Sequence, residues 1–356
     1  MNRRPSLLSQ SLLTALACCV LAFTTGCSDD PETPAGRGVL LIGNSRADNV
    51  VQFDAETGEF LGDFIQDDGS AGLVAPDTLV FGPGDDLYVS SGNEEGNSAI
   101  VRYDGETGEF VTVFAVARGM VRPHGLAFGP DGLLYVSSFL TDRLLRFEAE
   151  TGTFIDVFAT GNGQPGGLNG PNGLAFGPDG KLYVTTQGSV AVDGQPTFPG
   201  LPSQVLRFDI TTGQSEVFID QPALSPAGLG YISLLGLAFG PDCGSRGGEC
   251  DLFVSDFAND IRRYDLESRA LEATLSTNYT GTTPSGNNLG ALTFDDEGRL
   301  YTVGFDNAQG GDLRGAILRF DGRTNAPLPS SGNSGAIFVP PTTELVRPIG
   351  ITFTRQ

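Results

Sequence analysis

Hydrophobic residues come in short bursts bounded by Gly, Pro and Asp, and the bursts recur in a fixed order. The segment His124-Gly-Leu-Ala-Phe-Gly-Pro-Asp-Gly-Leu-Leu-Tyr-Val-Ser-Ser138 returns as Asn172-Gly-Leu-Ala-Phe-Gly-Pro-Asp-Gly-Lys-Leu-Tyr-Val-Thr-Thr186. A looser copy runs from Asp77 to Ser91. Gly125-Leu-Ala-Phe128 reads as a first strand. Gly129-Pro-Asp-Gly132 follows as a tight turn, in which Pro presets φ and Gly supplies a positive one. Leu134-Tyr-Val-Ser-Ser138 is a second strand and Arg143-Leu-Leu-Arg-Phe147 a third. Glu148-Ala-Glu-Thr-Gly152 turns the chain into a fourth, Thr153-Phe-Ile-Asp-Val-Phe158. A repeated unit of four antiparallel strands is a propeller blade.

The first-strand Phe marks each unit: Phe81, Phe128, Phe176, Phe239, Phe294 and Phe353. The last unit is a first strand alone, Ile349-Gly-Ile-Thr-Phe-Thr354. The chain's N-terminal part supplies a second strand, Val39-Leu-Leu-Ile-Gly43, with third and fourth strands over 49–53 and 59–64. The two ends must therefore share one blade, which closes the ring and removes its open edges. The fold class expected is all-β, a six-bladed propeller over residues 38–356, closed by strand 349–354 against the N-terminal strands.

The bulk properties agree. The chain has 356 residues, 39% of them hydrophobic, with 50 glycines, which suits a turn-rich β-protein. Its net charge of -22 argues against nucleic acid as a partner, because phosphate binding needs a basic face. Much of the acidity sits at Asp54, Asp104, Glu148, Asp209, Asp265 and Asp321, which open third-to-fourth-strand turns and bend the backbone locally.

Residues 1–26 read as an export signal. Arg3 and Arg4 precede an apolar run from Leu12 to Phe23 that is too short to span a membrane. Gly26-Cys27 resembles a bacterial lipobox, which implies lipidation of Cys27 and an N-terminal tether over 27–37. The chain is then expected in the cell envelope, held to a bacterial membrane by lipid alone, as a monomer. Of the 5 cysteines, Cys243 and Cys250 remain outside this segment, in one glycine-rich loop. They read as a disulfide formed in an oxidising compartment.

Alternating strand direction sorts the connections onto two faces. One carries minimal turns, apart from the Cys243–Cys250 loop. The other carries the long segments 159–171, 187–203, 220–233, 276–288, 305–314 and 326–348, and long loops on a rigid scaffold are where binding sites usually lie. At the channel mouth on that face each blade offers the residue four before its marker Phe: Asp77, His124, Asn172, Leu235, Gly290 and Ile349. Three neighbouring blades are thus polar and three plain. Asp77, His124, Asn172 and the second-strand terminus Asp256 are the candidate ligand-binding residues. Ser91, Ser138, Thr186 and Asn44 end second strands near the same mouth. His124 is the single histidine of the chain and the one candidate catalytic group.

The motif Gly-Leu-Ala-Phe-Gly-Pro-Asp-Gly-x-Leu-Tyr-Val-Ser, followed by Arg-Leu-Leu-Arg-Phe, resembles NHL-type propellers and the gluconolactonase/senescence-marker (regucalcin-like) superfamily. The lactonase branch implies a divalent cation, usually Ca²⁺, held at the channel mouth by Glu, Asn and Asp. Asn172-Gly-Leu-Ala-Phe-Gly-Pro-Asp-Gly180 matches its Asn-Gly-Leu-Ala-Trp-Ser-Pro-Asp-Gly element, so Asn172 is the carried-over ligand. Leu235 and Ile349 stand where that branch has Asp and Glu, and Asp77 on another blade is the substitute carboxylate. Streptogramin lyases also resemble the repeat, but they have seven blades and use more than one catalytic His. Two functions follow. The first is a lipid-anchored module that binds a protein, glycan or small-molecule ligand on the loop-rich face. The alternative is a cation-dependent hydrolase of lactones or esters, with Asp77 and Asn172 holding the metal and His124 as base or ligand.

Overall fold

A computed structural model describes residues 36–66, 72–226, 228–243, 250–307 and 313–356. The export signal, Cys27 and most of the tether lie outside the described residues. Gly36 and Arg37, assigned from sequence to the tether, already pack on the propeller. The Arg37 carbonyl accepts the Gln356 N–H, and its guanidinium pairs with Asp54.

Each turn-bounded apolar burst forms a strand. The first blade takes β1 (Gly38–Asn44), β2 (Asn49–Asp54) and β3 (Phe60–Ile65) from the N-terminal part of the chain. The second holds β4 (Leu79–Phe81), β5 (Leu87–Ser91), β6 (Ala99–Tyr103) and β7 (Phe110–Ala115). The third holds β8 (Pro123–Phe128), β9 (Leu133–Ser138), β10 (Arg143–Glu148) and β11 (Phe154–Thr160). The fourth is β12 (Pro171–Phe176), β13 (Leu182–Thr186), β16 (Val205–Phe208) and β17 (Ser215–Ile219). A side hairpin, β14 (Val190–Val192) and β15 (Gln195–Thr197), is inserted between β13 and β16. The fifth runs β18 (Leu234–Phe239), β19 (Asp251–Asp256), β20 (Ile261–Asp265) and β21 (Leu271–Leu275). The sixth runs β22 (Asn287–Phe294), β23 (Arg299–Asp306), β24 (Arg314–Asp321) and β25 (Ile337–Val346). Finally β26 (Pro348–Arg355) pairs antiparallel with β1, Leu40 opposite Phe353, and completes the first blade. No α-helix occurs among the described residues.

One expectation needs correction. Segment 326–348 is not a loop throughout, because residues 337–346 form β25, the outer strand of the sixth blade. Its two prolines, Pro340 and Pro341, argue against a strand in sequence. The outer position tolerates them, and the β24–β25 register shifts repeatedly along their length.

Blades join through a repeated aromatic contact. The second-strand ring packs edge-on against the next blade's marker Phe: Tyr88–Phe128 at 4.9 Å, Tyr135–Phe176 at 5.3 Å, Tyr183–Phe239 at 5.1 Å and Phe253–Phe294 at 5.2 Å. The turn aspartate serves this contact as well as the turn. Asp131 and Asp179 accept the hydroxyls of Tyr135 and Tyr183, so each buried phenol is satisfied. The third-to-fourth-strand turns behave as read from sequence. Asp54, Asp104, Asp209 and Asp321 each accept the N–H groups two and three residues ahead. In the glycine-rich loop, Cys243 and Cys250 are joined, their Cα atoms 4.4 Å apart.

Nearer the axis, a hydroxyl on the second strand bridges blades. Ser137 accepts the Gly125 N–H and donates to the Asn172 carbonyl of the next blade, both at 2.6 Å. Thr185 links Gly173 to Leu235, and Ser255 links Gly236 to Gly290, in the same way. The glycine in each case faces the neighbouring blade's backbone. A Cβ on Gly125 would overlap the Asn172 carbonyl oxygen, and one on Gly290 the Ile349 carbonyl oxygen. Gly125→Ala should therefore cost about 3 kcal/mol or more through overpacking. Gly132→Ala is the control: its φ is +78° with open space around it, and the left-handed backbone alone should cost about 1 kcal/mol. Urea midpoints of the two variants check the contrast, and equal losses would rule out the close approach as the cause.

Candidate functional site

The loop-rich face carries a cavity of about 780 Å³ over the channel mouth. Segments 187–203 and 220–233 supply much of its wall, through Phe198, Leu201, Leu224 and Tyr231. Leu235, Ile349 and Phe257 add apolar surface, and Asp77, Arg122, His124 and Arg347 form a charged end. An apolar pocket with a few convergent polar groups is the usual form of a small-molecule site.

The charged end is built across three blades. Asp77 sits on the second and is 1% exposed. Arg122 and His124, on the third, approach its Oδ2 at 3.5 Å through Nε and 3.8 Å through Nε2. Arg347, on the first, is partly buried and its charge is felt at both His124 and Asp77. Its Nη1 donates to Ser45 Oγ at 2.7 Å. Both guanidiniums lie against rings, Arg122 5.5 Å from Phe139 and Arg347 5.4 Å from Phe305, which restricts their motion. Burial pushes the His124 imidazole down to about 4; Asp77 opposes the shift, and Arg122 and Arg347 add to it. The ring is therefore neutral near pH 7. Burial likewise lowers Arg347, with Arg122 and Arg46 acting in the same direction and Asp77 against it.

Neither arginine was among the sequence candidates. Their signal is a motif used twice, Val121-Arg-Pro-His-Gly125 and Val346-Arg-Pro-Ile-Gly350. Both arginines hold a positive φ, +51° and +49°. The equivalent positions on the second and fourth blades are Ala75 at +46° and Gly170 at +63°. The first four blades thus share a left-handed residue here, while Ser233 and Asn288 on the fifth and sixth do not, and glycine fits it without penalty. An arginine costs on the order of 1 kcal/mol, and strain of that kind concentrates at functional sites.

The other candidates fall elsewhere. Asn172 is fully buried outside the cavity wall, its Nδ2 donating to the Leu234 carbonyl at 3.0 Å. Asp256 is held in a buried pair with Arg262 at 2.9 Å and accepts the Ser233 and Ala258 N–H groups. Its carboxylate is consumed in positioning a loop. Gly290 is closed off by the next blade. The second-strand termini also serve backbone: Ser91 accepts from Val74, Ser138 from Val121, Thr186 from Gln204, and Asn44 holds Glu344 and Val346.

For a divalent cation the donor set is thin: Asn172 Oδ1 and Asp77 Oδ1 are both buried without a hydrogen-bond partner, but Leu235 and Ile349 add no side-chain donor and a guanidinium sits beside the one carboxylate. Asp251, Asp265 and Glu272 do converge elsewhere, but Arg263 already pairs with Asp251 and Glu272 there.

No protein-family model matches the chain, and no characterised protein aligns with it significantly. Solved structures do share the fold. A chain of a nidogen/laminin complex superposes with TM-score 0.58 at 14% identity, over 89% of this chain and 98% of that one. A protein of unknown function from Bacteroides caccae gives 0.57 at 14%, over 90% and 100%. Virginiamycin B lyase from Staphylococcus aureus gives 0.51 at 14%, over 91% and 90%. At this identity the likeness concerns the propeller alone, an architecture that hosts unrelated functions.

The buried imidazole has a consequence for stability. An unfolded chain protonates His124 near 6.5, the native protein near 4. Between these values the unfolded state binds more protons, so stability falls as pH drops from about 6.5 to 4 and is unaffected by this group above that window. The native penalty should approach on the order of 3 kcal/mol at the low end. His124→Gln should lose less stability than wild type over that interval, read as melting midpoints at closely spaced pH. Parallel curves would mean that the ring is not held neutral by burial.

Proposed function

We propose that the protein is an exported, lipid-anchored binding module that takes up a small ligand in the cavity on its loop-rich face, without chemistry of its own. The observation that carries this reading is the cavity itself, largely apolar with one charged end. The alternative hydrolase needs a nucleophile beside its base, and among the described residues no hydroxyl or thiol is hydrogen-bonded to His124. The anchor rests on the Gly26-Cys27 signature at the end of the apolar segment.

Two experiments test the parts separately. The neutral apolar probe N-phenyl-1-naphthylamine should bind saturably with a fluorescence rise. Leu235→Trp, which narrows the cavity at its apolar floor, should weaken it at least tenfold while the melting transition persists. Unsaturable uptake, or hydrolysis of aryl esters and lactones that His124→Ala abolishes, would overturn the reading. In a bacterial host, the protein should partition with membranes and incorporate labelled palmitate, and Cys27→Ser should abolish both. Palmitate incorporation into the variant would remove Cys27 as the lipid site.

A further inference from the structure

The charges at the polar end do not balance. Arg122 and Arg347 flank Asp77 from the blades on either side, while the neutral His124 adds nothing. Asp77 engages Arg122 by one long contact, and among the described residues no carboxylate pairs with Arg347. Asp77 Oδ1 is buried with no protein hydrogen-bond partner, so the cluster's own pairing is also incomplete. With Arg46 also acting on Arg347, positive charge exceeds negative here, in a chain whose net charge is -22. Surplus charge on partly buried arginines favours a counter-charge. Beyond the cluster the cavity is apolar, so a bare inorganic anion would leave most of it unfilled.

We propose that Arg122 and Arg347 form a two-guanidinium clamp for the carboxylate of a small apolar acid, whose body lies against Leu235, Ile349 and Phe257. A planar carboxylate matches the guanidinium fork in two-point geometry. The side chains are already held for this role, by Phe139 beneath Arg122 and by Phe305 and Ser45 against Arg347. Their shared left-handed backbone, where a neighbouring blade uses glycine, is the cost the fold bears for placing charge there. A single carboxylate restores one-to-one balance with two arginines and Asp77.

This inference rests on the cavity being a ligand site, and the test separates the two. Full-length protein is loaded with N-phenyl-1-naphthylamine and titrated with decanoate, 1-decanol or decyl phosphate. Decanoate should displace the probe at least tenfold more effectively than decanol, and decyl phosphate should not surpass decanoate. R122Q and R347Q should each weaken decanoate about tenfold, leaving decanol and the probe unchanged, and the double variant should erase the preference. R347K, which keeps the charge, should retain part of it if R347Q proves unstable. Equal displacement by decanoate and decanol, a preference that survives in the double variant, or tighter decyl phosphate would each overturn the clamp while leaving an apolar ligand site. Failure of both probe and decanol to bind would overturn the ligand-cavity reading, and the clamp with it.

Discussion

Everything in this molecule depends on how closely neighbouring blades approach at the axis. A side chain at Gly125 or Gly173 would collide with a carbonyl of the next blade, and hydroxyls at Ser137 and Thr185 tie that carbonyl back to the blade behind, as Ser255 ties the Gly290 carbonyl. Each tie satisfies a strand carbonyl and a strand N–H that no ladder reaches, so losing it would leave buried polar groups unpaired. The aromatic contacts further out fill the wedge between blades, but the angle of the wedge is set at the glycines. That angle fixes where the residues just before each first strand emerge, and those residues make the site.

The site is accordingly a property of three consecutive blades. Asp77, the Arg122–His124 pair and Arg347 are far apart in sequence and meet because the second blade stands between the closing blade and the third. A scaffold with near-identical repeats gains function by varying what sits at one position in each. Here two arginines with an aspartate between them make a cationic end on an acidic protein. The apolar wall comes from elsewhere, chiefly the insertions of the fourth and fifth blades.

Blade number, strand order and closure were legible because the repeat encodes them locally: the turn glycines, the marker Phe and the orphan strand at 349–354 each state their own role. The site was half legible. Position four before Phe led to Asp77 and His124, which line the cavity, but also to Asn172, whose amide N–H donates to the Leu234 carbonyl, a contact across blades that no local pattern reports. Asp256 was misplaced because its partner Arg262 follows on the adjacent strand and draws it inward. Arg122 and Arg347 were missed because a residue before proline ordinarily favours an extended backbone that keeps to the strand. At φ near +50° the chain turns instead, and the guanidiniums reach the cavity. Strand 337–346 was hidden by its prolines.

Closure of the ring also orders events in time. Strand β1 has a partner on one side, β2, as soon as residues 49–54 exist, but its other edge waits for residues 348–355. The loop so closed spans almost the whole propeller, among the most non-local pairings a chain of this size can make, and such pairings are formed late and slowly. Until then the first blade is a three-stranded sheet with an exposed edge, and the positions that hold Arg347 and Asp77 have not met. The charged end of the cavity is therefore the last part to form, and a chain that stops short of β26 has blades but no such cluster.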